Sequence, residues 1–294
     1  MKGCENLKIP VQTRHDIANT YCSYPYSLSE MSDMYPYCMT TISKVLKEQG
    51  VPIYTKQQIH NRDAYEDYFS FVSTEEQAYL LGLFISDGCV FADSNTRSIK
   101  IALCLKEEDR YMVEYFSRAI NSPNMVLRQE KYNPTTNRTN VTYQASIYSN
   151  IMAYDLDNYG ACIGKWRREL PLLSPYLMRH LIRGLFDGDG SFSYRLTHPE
   201  RKVCNSLRGC VDIVAYPIIM DDLIDIYTNV IGVSNYTFNR QKDTPNLMSI
   251  RLERKQDIVK FYNYIYYGAN IYLHRKRDRF ERFFVESNMS TIIT

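Results

Sequence analysis

The sequence predicts an α+β protein in which one αββαββα unit occurs twice, behind a short helical segment. Three observations predict it. The pattern G-L-F-x-x-D-G occurs in AYLLGLFISDGCVF (residues 78–91) and again in HLIRGLFDGDGSF (residues 180–192). The copies lie roughly a hundred residues apart, room for one small domain each. After each copy, runs of period two and runs of period 3.6 alternate in the same order.

Composition sets the frame. With 294 residues, 45% of them hydrophobic, and a formal net charge of +2, the chain can bury a real core and should hold about two domains. The eight cysteines (Cys4, Cys22, Cys38, Cys89, Cys104, Cys162, Cys204 and Cys210) form no C-x-x-C pair, and no secretory leader pattern opens the sequence. They read as reduced thiols of an intracellular protein, since a zinc site needs tighter Cys/His clustering. No apolar run is long enough to cross a membrane, so no membrane partner is expected. The 35 Lys+Arg nearly balance the 33 Asp+Glu, but basic residues cluster at 195–208 and in HRKRDRFER (residues 274–282). Basic clusters interleaved with aromatics suit a polyanion.

Residues 1–73 are expected to be helical. Ile17 and Tyr21 mark one helix, SLSEMSDMY a short second, and CMTTISKVLKEQG a third with an Ile42/Val45/Leu46 stripe, ended by Gly50. In the first repeat, residues 74–170, the motif helix leads to a short strand at 89–92, a turn at DSNT, and SIKIALCLK, where Ile99, Ile101, Leu103 and Leu105 share a face. KEEDRYMVEYFSRAI is an amphipathic helix with acids in its first turn. MVLRQEKY and NVTYQASIY form a second hairpin around NPTTN, and NIMAYDLDNYG closes the unit at Gly160. The second repeat, residues 171–294, runs the same way through SFSYRL, CVDIVAY, PIIMDDLIDIYTNVIG, NYTFNRQ, LMSIRLE and KQDIVKFYNYIYYG.

The motif residues follow from geometry. Gly82 and Ser86, and likewise Gly184 and Gly188, are spaced i,i+4 on one helix face, where missing side chains allow close backbone approach. The two motif helices are expected to pack on each other. Asp87 and Asp189 end them, each before a glycine (Gly88, Gly190) that can take the positive φ of a helix stop. Parallel packing would bring both carboxylates to the negative poles of two helix dipoles, which calls for a compensating cation. A hard divalent ion, Mg²⁺ or Mn²⁺, suits carboxylate oxygens and could activate water or stabilise a phosphoryl leaving group.

These repeats resemble the two motifs of the LAGLIDADG homing endonucleases. LLGLFISDG (residues 80–88) and IRGLFDGDG (residues 182–190) occupy the nine motif positions, with Asp87 and Asp189 at the eighth, where the family carries its metal-binding catalytic acid. The resemblance spans residues 74 to about 288. It departs at Ile85, where many members have the acid that Asp187 supplies in the second copy. Many members also use a basic residue after the last strand; Lys255 matches that place in the second repeat, whereas the first offers Ser149 and Asn150.

The resemblance implies a monomeric, metal-dependent double-strand DNA endonuclease whose hairpins form a saddle-shaped sheet on the major groove of a long target site. Metal is expected at Asp87 and Asp189 with Gly88 and Gly190, and Lys255 is expected to assist. Candidate DNA contacts are Ser191, Ser193 and Arg195, which alternate with Phe192, Tyr194 and Leu196, together with Ser98 and Lys100. The N-terminal segment resembles the helix-turn-helix of transposases and resolvases, placing Thr40, Thr41 and Lys44 on a recognition helix. Two alternatives use the same scaffold: an RNA maturase assisting intron splicing, and a non-cleaving helix-turn-helix regulator on a decayed endonuclease core. An embedded intein is disfavoured, because the sequence lacks a splicing nucleophile at its start and His-Asn at its end.

Overall fold

The computed structural model describes residues 9–92, 99–122, 126–135, 137–161, 169–197, 206–240 and 247–288. The chain divides into two compact units, Met1–Tyr65 and Glu66–Thr294, so both repeats lie in the second. Among the described residues, no helix is long and apolar enough to cross a membrane.

The first unit holds three principal helices, α1 (Val11–Ser23), α2 (Leu28–Met34) and α3 (Met39–Glu48), followed by the single turn α4 (Lys56–His60). Helix α2 starts where the sequence satisfies its orphan donors: Ser27 Oγ accepts from Glu30 N at 3.2 Å, and Glu30 Oε2 accepts from Ser27 N at 2.7 Å. Gly50, at φ +71°, ends the chain's run out of α3. Ile17, Tyr21, Met31, Ile42, Val45 and Leu46 bury the facing stripes as one core.

The second unit contains the duplicated plan. Helix α5 (Glu75–Asp87) leads into strands β1 (Gly88–Ala92) and β2 (Ile99–Lys106), helix α6 (Arg110–Ala119), strands β3 (Val126–Asn133) and β4 (Arg138–Tyr148), and helix α7 (Asn150–Asn158). Helix α8 (Pro175–Asp189) then leads into β5 (Gly190–Thr197), β6 (Ser206–Ala215), α9 (Pro217–Asp225), β7 (Thr237–Arg240), β8 (Met248–Leu252) and α10 (Lys255–Tyr266). Each repeat makes one antiparallel four-stranded sheet of the same order, β1-β2-β4-β3 and β5-β6-β8-β7. One face of each is apolar and buried. Ile101, Leu103, Ala145 and Ile147 line it in the first sheet, and Phe192, Val211, Ile213 and Ile250 in the second.

Capping follows the sequence closely. Thr74 and Gln77 form a capping box at α5, and Ser174 caps α8 ahead of Pro175 at its first position. A further helix, α11 (His274–Glu286), lies beyond the repeat plan. It carries the basic cluster HRKRDRFER on one side and buries Phe280, Phe283 and Phe284 on the other; Phe280 stacks on Phe192 at 3.9 Å between ring centroids.

A buried polar network ties the N-terminal halves of α5 and α8 to the segment between α10 and α11. Arg183, fully buried, donates to Glu75 at 2.7 Å, to the Ile271 carbonyl at 2.8 Å, to the Ile265 carbonyl at 3.0 Å and to His180 Nδ1 at 2.8 Å. Glu75 accepts in addition from the backbone and side-chain nitrogens of Asn270, at 2.8 and 2.9 Å. Removing Glu75 would strand a buried guanidinium, so Glu75→Ala should lower stability by about 3–5 kcal/mol, read as a fall in denaturation midpoint. Burial, reinforced by the Arg183 charge, pulls the His180 pKa down to about 4. A histidine depressed in the folded state is protonated first in the unfolded chain. Stability should therefore decline as pH falls from about 6.5 towards 4, by up to about 3 kcal/mol. His180→Gln keeps an acceptor for Arg183 and cannot titrate, so its melting temperature should vary less with pH across that window.

Candidate active site

The site begins where α5 and α8 touch. They run parallel and meet backbone to backbone: a Cβ on Gly82 would lie 3.0 Å from Gly184 Cα and collide with the Leu181 carbonyl oxygen, and one on Gly184 would collide with that of Tyr79. One turn later Gly188 rests on Ser86, and a Cβ there would come within 3.0 Å of Asp87 Oδ2. The i,i+4 spacing of Gly82/Ser86 and Gly184/Gly188 therefore marks the helix interface as expected. It also carries the Asp87 carboxylate to the end of α8, within a residue of Asp189. Both aspartates are half-exposed.

The reason for the glycines after the aspartates differs from the expected one. Gly88 and Gly190 have φ −71° and −76°, in the extended region open to any residue. Space requires them: a Cβ on Gly88 would sit 2.5 Å from the Phe84 carbonyl oxygen, and one on Gly190 2.5 Å from that of Phe186. The chain turns from helix straight into strand with no room for a side chain between.

Asp187 belongs to the scaffold. It is fully buried and accepts from Tyr79 Oη at 2.8 Å, Tyr266 Oη at 2.5 Å and Leu273 N at 2.7 Å. Burial drives its pKa up, against the three donors. Ile85, its counterpart, is an apolar residue buried to 3% exposure.

That segment delivers a cation which the sequence does not single out. Four consecutive residues at the start of α11 are anchored: Leu273 N on Asp187, His274 N on Tyr111 Oη at 2.7 Å, Arg275 on Asp109 at 2.7 Å, and Lys276 on the Gly190 carbonyl. Lys276 Nζ also stands 5.5 Å over the Phe186 ring. Burial, with Arg275 adjoining, pulls its pKa down to about 8, while the charges of Asp187 and Asp87 act the other way. The Phe280/Phe283/Phe284 spacing could have revealed the helix. Nothing in HRKRDRFER distinguishes the basic residue that bonds the Gly190 carbonyl.

Lys255 is the first residue of α10, half-buried, and its ammonium makes no ion pair among the described residues. Its counterparts in the first repeat are structural. Ser149 is buried, caps α7 and donates to Glu66 at 2.5 Å, and Asn150 accepts from Ile99 N at 3.0 Å.

The open sheet faces carry the other candidates. Ser191, Ser193 and Arg195 are exposed on β5, with Phe192 buried on the reverse; Tyr194 is half-buried, its hydroxyl donating to Glu286 at 3.0 Å, and Leu196 is exposed. Ser191, Ser193, Tyr194 and Arg195 line a groove of about 370 Å³ with Arg208, Asp212 and Arg251. Lys100 is half-exposed on β2 between Phe91 and Tyr148; Ser98 lies outside the described residues. In the N-terminal unit Thr40 and Lys44 are exposed on α3, and Thr41 is half-buried with its hydroxyl 3.1 Å from Cys38 Sγ. Among the described cysteines, Cys22, Cys89, Cys104 and Cys210 are free thiols.

No protein-family model and no curated protein matches the chain. Solved structures do match its fold. The homing endonuclease I-WcaI bound to its DNA recognition sequence aligns with 79% of this chain and 97% of its own, at 13% identity and a TM-score of 0.48. The LAGLIDADG meganuclease I-AabMI bound to uncleaved DNA aligns with 71% and 89%, at 11% identity and 0.48. I-SmaMI bound to an uncleaved DNA target in the presence of calcium ions aligns with 64% and 84%, at 12% and 0.42. The folds it resembles are those of LAGLIDADG homing endonucleases. At this identity the likeness concerns the fold alone.

Proposed function

We propose that the chain is a metal-dependent, site-specific endonuclease of the LAGLIDADG kind that cuts both strands of a long duplex target. One observation carries the reading: two parallel helices in backbone contact bring Asp87 to the end of α8 beside Asp189, with the Lys276 ammonium on the adjoining Gly190 carbonyl.

The donor set suits a hard divalent cation. Asp87 and Asp189 offer carboxylate oxygens and Gly88 a main-chain carbonyl, whereas the Gly190 carbonyl expected to join them accepts from Lys276. Among the described residues no cluster of three or more His, Cys, Asp or Glu side chains forms a full cage. Carboxylate oxygens suit Mg²⁺ or Mn²⁺, which keep waters and take up phosphate oxygens. When bound, the cation supplies charge neutralisation at the scissile phosphate. The chain's own residues do the rest: the carboxylates orient a water for in-line attack, one for each strand. Lys276 offsets the charge that develops on phosphate and leaving oxygen. The open sheet faces hold the duplex, and α3, through Thr40, Thr41 and Lys44, adds a DNA contact of its own. The accessory cation is assigned to Lys276 in place of Lys255, because only Lys276 is anchored at the glycine beside a motif aspartate.

The deciding experiment incubates the protein with DNA carrying the uninterrupted insertion locus, in Mg²⁺ and in EDTA. Double-strand cleavage in Mg²⁺ alone is expected. No cleavage on any insertion locus, with tight binding of a structured intron RNA, would replace this reading with the maturase. Lys276→Met should slow cleavage about 10²-fold at saturating DNA while leaving DNA affinity nearly unchanged, and Lys255→Met should stay within about twofold of wild type. The reverse ranking, measured under single turnover, would return the accessory role to Lys255.

A further inference from the structure

The two sheets present different chemistry to a duplex, and on the reading above this difference sets the composition of the target. On the second sheet Arg195 and Arg208 stand directly opposite each other in the β5–β6 register. Both are exposed, and neither has a carboxylate partner among the described residues. Like charges at directly opposed positions destabilise a sheet unless an electronegative ligand lies between them. Beside them Arg251 is held by Asp212 at 2.8 Å, so its remaining donors point from a fixed place. An arginine fork matches guanine O6 and N7 in the major groove better than any other base edge.

Strands β3 and β4 of the first sheet are built otherwise. On its open face Gln129 Nε2 donates to Gln144 Oε1 at 2.6 Å, which orients both amides and leaves each with a free donor or acceptor pair. Leu127 lies opposite Gln144 in the β3–β4 register and is 57% exposed. An oriented glutamine amide reads adenine N6 and N7, and an exposed aliphatic group contacts the thymine methyl. The apolar side chain next to the amide pair therefore fits an A·T step.

We infer that Arg195 and Arg208 select guanine in one half of the target, and that Gln129, Gln144 and Leu127 select an A·T step in the other half.

The test selects duplexes from a randomised library with the full chain in Ca²⁺, and compares wild type with Arg195→Ala/Arg208→Ala and with Gln144→Ala. Guanine positions should dominate one half of the wild-type consensus. The double arginine variant should lose roughly tenfold of the preference at those positions only. Gln144→Ala should relax A·T positions in the other half only, and in each variant the untouched half reports an intact fold. Unchanged consensus sequences in both variants would overturn the inference. So would uniform weakening by the arginine variant with a smaller salt dependence, which would make the pair a phosphate clamp. Failure to enrich any duplex with wild type would refute the endonuclease reading itself, whereas enrichment of a target with matching halves would refute only this inference.

Discussion

Asp87→Asn and Asp189→Asn should each abolish double-strand cleavage, by about 10³-fold or more, while the protein still folds and still binds its target. Either amide keeps the shape of the side chain and removes the charge that a divalent cation needs. Both carboxylates are half-exposed at helix ends and the amide is of the same size, so neither substitution opens a cavity. Asp187 is the internal contrast. Its carboxylate is fully buried under three donors, and Asp187→Asn should lower the melting temperature first and activity only in consequence. The measurement is cleavage of a supercoiled plasmid bearing the target, with binding followed separately by gel shift. If each single variant nicks one strand at wild-type rate, the two aspartates serve separate strands without sharing a metal. If both variants cut fully, the active site is elsewhere.

Gly184→Val should be the most damaging single change to the fold. A Cβ there meets the Tyr79 carbonyl oxygen, Leu83 N at 2.9 Å and Gly82 Cα at 3.0 Å, all main-chain atoms of a helix that cannot move aside as a side chain could. Overpacking ordinarily costs 1–3 kcal/mol; with no rotamer to relieve it, a cost of about 3 kcal/mol or more is expected. The helices would be forced apart at the point that brings the aspartates together, so melting temperature and cleavage should fall together. Folding of Gly184→Val with wild-type stability would show that α5 and α8 do not depend on this contact.

How far these features were legible in the sequence depends on whether they repeat. The glycine contact could be read because Gly82/Ser86 and Gly184/Gly188 recur at one spacing in two copies, and a contact between copies leaves its mark in both. The strands could be read because burial of one sheet face imposes period two on Ile99, Ile101, Leu103 and Leu105. The conformation of Gly88 and Gly190 could not. A positive φ and a crowded extended backbone select the same residue, and only the position of Phe84 and Phe186 distinguishes them. Asp187 was set apart by its partner Ile85, yet its three donors come from Tyr79, Tyr266 and Leu273, each on a different segment.

By itself, the sequence determined the duplication, the helix pair and the place of its two terminal acids, because each rests on periodicity or on a residue type that only one local geometry tolerates. Only the tertiary structure brings a particular cation, Lys276, onto the Gly190 carbonyl next to Asp189. Lys276 lies 86 residues from the glycine it bonds, on a helix with no counterpart among the described residues of the first repeat. It is placed by anchors from α6 and α8, and the fold selects it among six neighbouring basic residues that local spacing leaves equivalent.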